Sequence, residues 1–366
     1  MRMAGAKGYS SYRGRGSKWK VFMAILLVLV ILAAASVIYL EQHIVYSSGG
    51  RRQIVLPWQS EEADAAPVGD QQGAENRPNV EVVVEPPKEE EPQEILARAL
   101  PAAALTRAVW AEFEAGMAAD SAMGTCNAVV VRLKTSNGTV YFESANAVSG
   151  AVQVAGDPGE TASVLNLVTS REGLHAIASM SCLQDFKAAN ADVEGRGLKN
   201  TGGYIFYDGN NSLWLDPCKP SAREYVCALA KEIAELGFDE LLLTDFSYPT
   251  VGKINKIFYN TDVPLANNLD QLLSELRTAL EPYDILLSVE IPKAVIAEGP
   301  DLTAGLDLSR LAGRVDRIYA EAAPEEVETL SNLVSQAAGA DGGVQFIPEL
   351  TEDSPSLTGS RLILAE

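Results

Sequence analysis

Residues 221–245 read SAREYVCALAKEIAELGFDELLLTD and predict one helix followed by one strand. Apolar residues recur here every three or four positions, which is typical of an amphipathic helix: Tyr225, Val226, Leu229, Ile233 and Leu236. Ser221 and Glu224 have the spacing of a capping box at the start of this helix. The apolar run that follows predicts a buried strand over Glu240–Ser247, so this stretch forms one α/β unit.

The same alternation of apolar runs and amphipathic stretches continues from residue 94 to residue 366. Eight strands are predicted: Ile95–Ala102, Asn127–Lys134, Leu174–Leu183, Glu240–Ser247, Asp284–Ile291, Arg317–Ala322, Val344–Leu350 and Arg361–Glu366. A second helical face consists of Leu269, Leu272, Leu273, Leu276 and Leu280. This number of strands predicts an α/β fold, a (β/α)8 TIM-like barrel over residues 94–366. A doubly wound open sheet is the alternative, but no Gly-x-Gly-x-x-Gly follows the first strand.

Composition limits the classes of function. The chain is 47% hydrophobic and 21% charged, with a formal net charge of −20, so a packed core is expected. The first forty residues contain basic side chains and no Asp or Glu. Because the whole chain is nevertheless acidic, the rest of the chain has a still larger negative charge. An acidic body argues against nucleic acid as a partner. With two histidines, His43 and His175, the chain cannot supply a site with three histidine ligands.

Residues 21–40 read VFMAILLVLVILAAASVIYL and contain no charged side chain. Twenty residues of helix span the roughly 30 Å hydrocarbon core of a bilayer. The basic leader of residues 1–20, expected to be disordered, predicts a cytoplasmic N-terminus and an extracytoplasmic C-terminal domain. A cleaved signal peptide is the alternative, because Ala33-Ala34-Ala35 offers a processing site. The preferred interpretation is a single-pass signal-anchor helix, followed by an acidic, Pro-rich linker over residues 41–93.

Two long segments interrupt the alternation, at Gly138–Gly159 and at Gln184–Pro217. Within the second, the runs Tyr204–Tyr207 and Leu213–Leu215 flank a turn-forming Asp-Gly-Asn-Asn sequence, which predicts a hairpin. Both segments follow barrel strands, so they are expected on the C-terminal rim where active sites of such barrels lie.

Carboxylates stand at the ends of five predicted strands: Asp245, Glu290, Glu321, Glu349 and Glu366. Cleavage of a glycosidic bond needs one carboxylic acid and one carboxylate close together. We expect Asp245 as nucleophile and Glu290 as general acid/base, with Asp245 and Glu349 as the second choice of pair. A retaining enzyme holds the two carboxyl groups about 5–5.5 Å apart and an inverting enzyme about 6.5–9.5 Å apart.

Other side chains of the rim are candidates for binding a sugar: Lys134, Asp185, Trp214, Asp216, Tyr248 and Glu321. Trp214, Tyr248 and Tyr207 have aromatic rings suited to stacking on a sugar face, although such rings also cover barrel cores. His175 opens its strand at the opposite end of the barrel, so a structural role is expected. No cofactor and no metal site is predicted.

The sequence Leu213-Trp214-Leu215-Asp216-Pro217, the helix of residues 222–237 and the run Phe238–Asp245 resemble a glycosyl-hydrolase-like TIM-barrel family of bacterial envelope proteins. Residues 127–134 resemble the second strand of that family, and the likeness covers roughly residues 95–320. It implies a barrel that acts on polysaccharide. Two departures stand out: the family carries Asp where this chain has Arg132, and the segment after Asp245 is shorter here and lacks an Arg.

Four cysteines follow the apolar segment. Cys182 and Cys218 flank the second long segment, and we expect them to pair as a disulfide. Cys126 and Cys227 are expected as buried thiols, and the absence of Cys-x-x-Cys argues against zinc.

Two functions follow from these patterns. The first is a membrane-anchored glycoside hydrolase acting on cell-wall or extracellular polysaccharide. The second is a catalytically inactive barrel that binds a glycan or an envelope protein.

Overall fold

The computed structural model describes residues 44–46, 52–54, 94–100, 105–118, 126–154, 159–339, 343–354 and 357–364. The chain divides into two compact units, Met1–Pro86 and Pro87–Glu366. In the first unit, Ile44–Tyr46 pairs antiparallel with Arg52–Ile54. Residues 1–40, which include the predicted leader and signal-anchor, lie outside the described residues. No helix in the described part of the chain has the length and apolar character needed to span a bilayer.

The second unit contains eight parallel strands that close into a barrel in chain order. Their bounds are β1 Leu96–Ala99, β2 Ala128–Lys134, β3 His175–Ser181, β4 Glu240–Thr244, β5 Leu286–Glu290, β6 Arg317–Glu321, β7 Gln345–Leu350 and β8 Arg361–Ile363. The ring closes where β8 pairs with β1, at Leu362 and Ala97. The predicted (β/α)8 barrel is therefore confirmed, and the open sheet is wrong.

Helices cover the outside of the barrel. Those of the described residues are α1 Arg107–Ala118, α2 Glu160–Thr169, α3 Phe186–Ala191, α4 Pro220–Glu235, α5 Leu265–Leu280, α6 Lys293–Ala297, α7 Leu308–Leu311 and α8 Val327–Ala338. The predicted leucine face of α5 is buried throughout. The predicted capping box of α4 is wrong: the helix begins at Pro220, and its N-cap residue Lys219 makes no side-chain cap. Proline suits a first helical position because its φ is already helical and its missing N–H needs no partner.

Side chains of each strand alternate between two apolar layers. The layer inside the barrel contains Ile95, Ala97, Ala128, Val130, Ile177, Leu242, Tyr319, Ile347 and Leu362. The larger layer, between strands and helices, includes Val129, Val131, Leu241 and Leu243. The position of each strand residue in this alternation decides whether its side chain reaches the barrel interior or the helices.

At the N-terminal end of the barrel, Glu240 is fully buried and has four side-chain partners. His175 Nε2 lies 2.8 Å from one carboxylate oxygen, and Arg317 forms an ion pair with the same oxygen. Ser288 and Tyr319 donate hydrogen bonds of 2.5 and 2.8 Å to the other oxygen. Burial raises the pKa of Glu240, but the His175 hydrogen bond and the Arg317 charge outweigh burial and leave that pKa below its ordinary value. His175 thus lies at the opposite end of the barrel from the C-terminal ends of the strands.

The long segment of residues 184–217 folds differently from its prediction. The runs around Ile205 and Leu215 pair with Lys199 and Gly197 respectively, instead of with each other. The Lys199–Asn200 strand also pairs with Ile257–Phe258 from the segment after β4. The predicted hairpin is therefore wrong, because the chain between residues 197 and 200 provides pairing partners for both runs.

Candidate active site

The C-terminal ends of β5, β6 and β7 each direct a glutamate into the barrel. Ser288, Tyr319 and Ile347 lie in the barrel interior, and the glutamates two residues further on, Glu290, Glu321 and Glu349, face the same way. Glu321 and Glu349 are direct partners in the β6–β7 register. We call the opening formed by these inward-facing strand ends the mouth. The sequence-predicted carboxylates of three strands therefore meet at one end of the barrel.

Asp245 follows β4 in a left-handed conformation, with φ of 51°. Strict alternation would turn Asp245 towards the helices, since Leu241 and Leu243 face them. The positive φ ends the strand at Thr244 instead of at the predicted Ser247. Ser181 Oγ lies 2.6 Å from Asp245 Oδ2, so the carboxylate is held from β3. Backbone conformations of this kind are costly for residues other than glycine and concentrate at functional sites.

A cleft of about 460 Å³ opens beside the mouth. Its lining residues are Asp245, Phe246, Ser247, Glu290, Ile291, Pro292, Lys293, Ala294, Leu306 and Glu321. Three carboxylates and one lysine thus share this cleft with apolar side chains. The ammonium of Lys293 is ion-paired with Glu326 at 2.7 Å, which leaves the carboxylates as the reactive groups of the cleft.

Burial and crowding alter the ionisation of two glutamates. Burial and the charge of Asp245 raise the pKa of Glu290, although the charge of Arg132 acts in the opposite direction. Burial and the charges of Glu290 and Glu321 raise the pKa of Glu349 to about 8. Glu349 is only 5% exposed, so its neutral form predominates at pH 7. Glu290 is half-buried and lies near the carboxylate of Asp245, and general acid catalysis requires such an environment.

A β-bulge separates Arg132 from Lys134. Arg132 is paired with Ser179, but Lys134 is paired with Met180, so β2 has one extra residue relative to β3. Met180 belongs to the layer that faces the helices, and Lys134 turns to that side with it. Arg132, two residues after the inward-facing Val130, is exposed at the mouth instead.

Lys134 and Asp185, both predicted to bind substrate, form an ion pair of 3.0 Å in the protein interior. The exposed fractions of their side chains are 2% and 0%. Asp185 Oδ1 also accepts a hydrogen bond from the N–H of Ala188 and so caps α3. Gly138, with φ of 81°, packs so closely that a Cβ there would lie 2.1 Å from Asp185 Oδ1. The structure does not bring this pair to the mouth.

Trp214, Asp216 and Tyr248 are buried as well. Trp214 Nε1 donates to Asp208 at 3.0 Å, and the N–H of Cys218 donates to Asp216 at 3.0 Å. The Tyr248 hydroxyl accepts from Asn268 at 3.1 Å. With exposures of 7% for Trp214 and 1% for Tyr248, neither ring offers a broad stacking surface, and their binding of substrate stays a prediction. Exposed aromatic rings of the segment 184–217 occur elsewhere, at Phe186, Tyr204 and Tyr207, and Phe258 of the segment after β4 is exposed as well.

The predicted disulfide between Cys182 and Cys218 is not formed, because all four cysteines are free thiols. Cys182 is buried behind β3, and burial raises its pKa. The Cys218 sulfur lies 3.4 Å from the Tyr248 hydroxyl instead, and burial raises the pKa of this thiol to about 11. These thiols are therefore protonated at neutral pH and poor nucleophiles.

Ser181 and Lys293 were not predicted as part of the site. Ser181 ends β3 two residues before the predicted end of that strand at Leu183, and its inward direction could be recognised only once the strand alternation was known. Lys293 begins a five-residue helix that carries no strong sequence signal. Among the described residues, no group of three or more His, Cys, Asp or Glu side chains is arranged to hold a metal ion.

Comparison with known proteins identifies the family of the chain. Residues 115–326 match a family described as "Putative glycosyl hydrolase domain". The chain belongs to this family. This glycosyl hydrolase domain extends from α1 through the strands that carry Asp245, Glu290 and Glu321, so the candidate site lies mostly within it. No curated protein matches the sequence.

Solved structures similar to this glycosyl hydrolase family member include three from bacteria. The PgaB (BpsB) glycoside hydrolase domain from Bordetella bronchiseptica is 16% identical, with a TM-score of 0.49, over 70% of this chain and 83% of that one. A hypothetical protein from Ruminiclostridium thermocellum is 21% identical, with a TM-score of 0.42, over 53% and 96%. A chitinase from Chromobacterium violaceum is 14% identical, with a TM-score of 0.38, over 70% and 68%. The barrel is defined by its own strand pairing.

Proposed function

We propose that the barrel hydrolyses glycosidic bonds in a cell-wall or extracellular polysaccharide. The observation that carries this proposal is the position of Glu290, which lines the same cleft as Asp245 and has a raised pKa. A carboxyl group that stays protonated beside an ionised one can give its proton to the leaving oxygen of a glycosidic bond. Burial of Glu290 disfavours its charged form, which favours the proton-bearing acid.

Asp245 and Glu290 have separate roles in this mechanism. Glu290 protonates the glycosidic oxygen as the bond to the anomeric carbon breaks. Asp245 attacks that carbon and forms a glycosyl ester, which water then hydrolyses while Glu290 removes a proton from the water. Ser181 holds the Asp245 carboxylate in position for attack. Glu349, mostly neutral at pH 7, adds little negative charge next to Glu290.

Purified protein should release reducing ends from peptidoglycan or from soluble bacterial polysaccharides. Asp245→Asn and Glu290→Gln should each lower kcat by at least about 1,000-fold, because each removes one half of the pair. Glu112→Gln, an exposed glutamate of α1, is the matched control and should keep full activity. Full activity in both cleft variants would overturn the proposal.

The anomer of the first product tests the assigned role of Asp245. If Asp245 is the nucleophile, proton NMR of the fresh product will show the same anomeric configuration as the substrate. The inverted anomer would make Asp245 a general base that activates water, with Glu290 unchanged as acid.

A barrel that binds glycan without cutting it is the second candidate. The observation that favours it is Arg132, whose positive charge lowers the pKa of Glu290 and so opposes the protonated form. In that case wild-type protein and Asp245→Asn would bind the same glycans with equal affinity, and neither would release reducing ends.

We also propose that residues 21–40 anchor the protein in a bilayer, with the barrel on the extracytoplasmic side. The support is the uncharged twenty-residue run preceded by basic residues. In membranes of expressing cells, the full chain should resist extraction by alkaline carbonate, and externally added protease should reach the barrel of intact spheroplasts. Recovery of the uncleaved chain in the carbonate supernatant would contradict the anchor.

A further inference from the structure

We propose that Arg132 binds a carboxylate on the sugar, so that the substrate is an acidic polysaccharide containing uronic acid or another carboxylated sugar. This inference rests on the proposed function, because it concerns the substrate class of the same cleft.

The first support is the direction of the Arg132 side chain. Ala128 and Val130 of β2 face the barrel interior, and Arg132 follows them at the mouth in the same alternation. The bulge after Arg132 turns Lys134 away, so Arg132 is the last residue of β2 that faces inward. Unlike its buried neighbours in this strand, Arg132 is exposed. A ligand entering the mouth therefore meets its guanidinium.

The second support is that the guanidinium makes no hydrogen bond or ion pair with any of the described residues. Its charge lowers the pKa of Glu290, yet none of the described carboxylates forms an ion pair with it. Lys293, the cation that lines the cleft beside the mouth, is occupied by Glu326. The N–H donors of Arg132 are thus available for a ligand, and a carboxylate matches their planar fork with two parallel hydrogen bonds.

The third support is the charge around Arg132. Asp245, Glu290 and Glu321 line the cleft, and the whole chain has a net charge of −20. This field repels anionic polymers unless a cation receives the anionic group at the site itself. A phosphate with two negative charges would be repelled more than a carboxylate with one.

Binding of small sugars to the full-length chain tests the inference without requiring catalysis. In isothermal calorimetry at low salt, wild-type protein should bind D-glucuronate about tenfold more tightly than D-glucose or D-glucose 6-phosphate, as expected for a two-bond guanidinium–carboxylate contact. Arg132→Met should abolish this preference, and Arg132→Lys should retain only part of it, because lysine lacks the fork. Arg171→Met, which removes a half-buried arginine that pairs with Glu114 in the segment preceding β3, is the control away from the mouth and should bind as wild type.

Three results would overturn the inference: no preference for glucuronate in the wild type, an unchanged preference in Arg132→Met, or tighter binding of glucose 6-phosphate. Turnover separates this failure from that of the proposed function. If the enzyme cuts neutral glycans at the same kcat/KM in wild type and Arg132→Met, hydrolysis stands and the acidic substrate is wrong. If glucuronate binds through Arg132 but no glycan is cut, the acidic ligand stands and hydrolysis is wrong.

Discussion

Ser181 Oγ lies 2.6 Å from Asp245 Oδ2 and joins the ends of β3 and β4 at the mouth of the barrel. The same hydroxyl lies 2.8 Å from the carbonyl oxygen of Gln184, so one proton serves two acceptors. Asp245 occupies a left-handed backbone conformation at this point, and the contact with Ser181 helps to maintain it. The orientation of Asp245 therefore depends on a residue 64 positions earlier in the chain.

Ser181→Ala should lower kcat about tenfold while KM changes less than threefold, because the change frees the nucleophile without touching the sugar. Steady-state kinetics on the substrate found for the wild type measure both constants. Ser181→Thr keeps the hydroxyl and should retain most of the activity. An unchanged kcat in Ser181→Ala would show that Asp245 does not need this contact.

Activity should fall as pH rises through the pKa of Glu290, since the protonated acid is lost. That pKa is above its ordinary value, so the falling limb should lie at higher pH than for an exposed glutamate. Arg132→Met removes a charge that lowers the pKa of Glu290, and it should move the limb to still higher pH. A pH–rate profile of kcat/KM measures the shift, and a limb that does not move would contradict the electrostatic link.

Stability should also depend on Glu349. Its pKa is raised from 4.5 to about 8, so folding favours its protonated form. The stabilisation is complete below pH 4.5 and is lost as pH rises towards 8 and beyond. Glu349→Gln resembles the neutral acid, and its free energy of unfolding should depend less on pH across this range. Urea denaturation of both proteins at pH 5, 7 and 9 measures this difference. If the free energy of unfolding changes with pH by the same amount in wild type and Glu349→Gln, the prediction is wrong.

Glu240→Ala should destabilise the barrel by about 3–5 kcal/mol, because it leaves the buried Arg317 without its carboxylate. The pKa of Glu240 is lowered, so its contribution is present above the unfolded pKa and is lost as pH falls through the folded pKa. Urea unfolding at pH 7 measures the loss. Glu112→Ala, at an exposed position of α1, should change stability by no more than about 0.5 kcal/mol. Equal stability of the two variants would mean that the buried ion pair contributes nothing.

Lys134→Met should destabilise the protein by about 3–5 kcal/mol, because it leaves Asp185 as a buried charge without its cation. Adding Asp185→Asn should restore part of the loss, since the amide still caps α3 and carries no charge. Thermal or urea unfolding of the single and double variants measures this coupling. If both variants are as stable as wild type but bind substrate weakly, then the pair binds substrate as first predicted.

The fold was predictable because its signal is local. Each barrel strand is a short apolar run, and a parallel strand buried on both faces needs little else. The leucine face of α5 was equally clear, since its period depends only on neighbouring residues. The Lys199–Asn200 pairing was missed because its partner, Ile257–Phe258, belongs to a segment far along the chain.

The candidate site was predictable in part. Glu290, Glu321 and Glu349 were identified because carboxyl ends of parallel strands meet at one end of a barrel. Lys134 was expected at the mouth by the same reasoning, but the bulge between Arg132 and Lys134 reverses its direction. An extra residue in a strand is invisible in a sequence pattern, and it moves every later side chain to the other face.

The sequence alone determined that eight apolar strands alternate with helices and that acids stand at their ends, because apolar runs and helical periodicity are properties of consecutive residues. Only the tertiary structure decided which polar side chains face the cleft. Asp245 is held there by a left-handed backbone and by Ser181. Arg132 is the last inward-facing residue before the bulge, and the bulge turns Lys134 away to be buried against Asp185. These outcomes depend on contacts between distant parts of the chain, which no local pattern encodes.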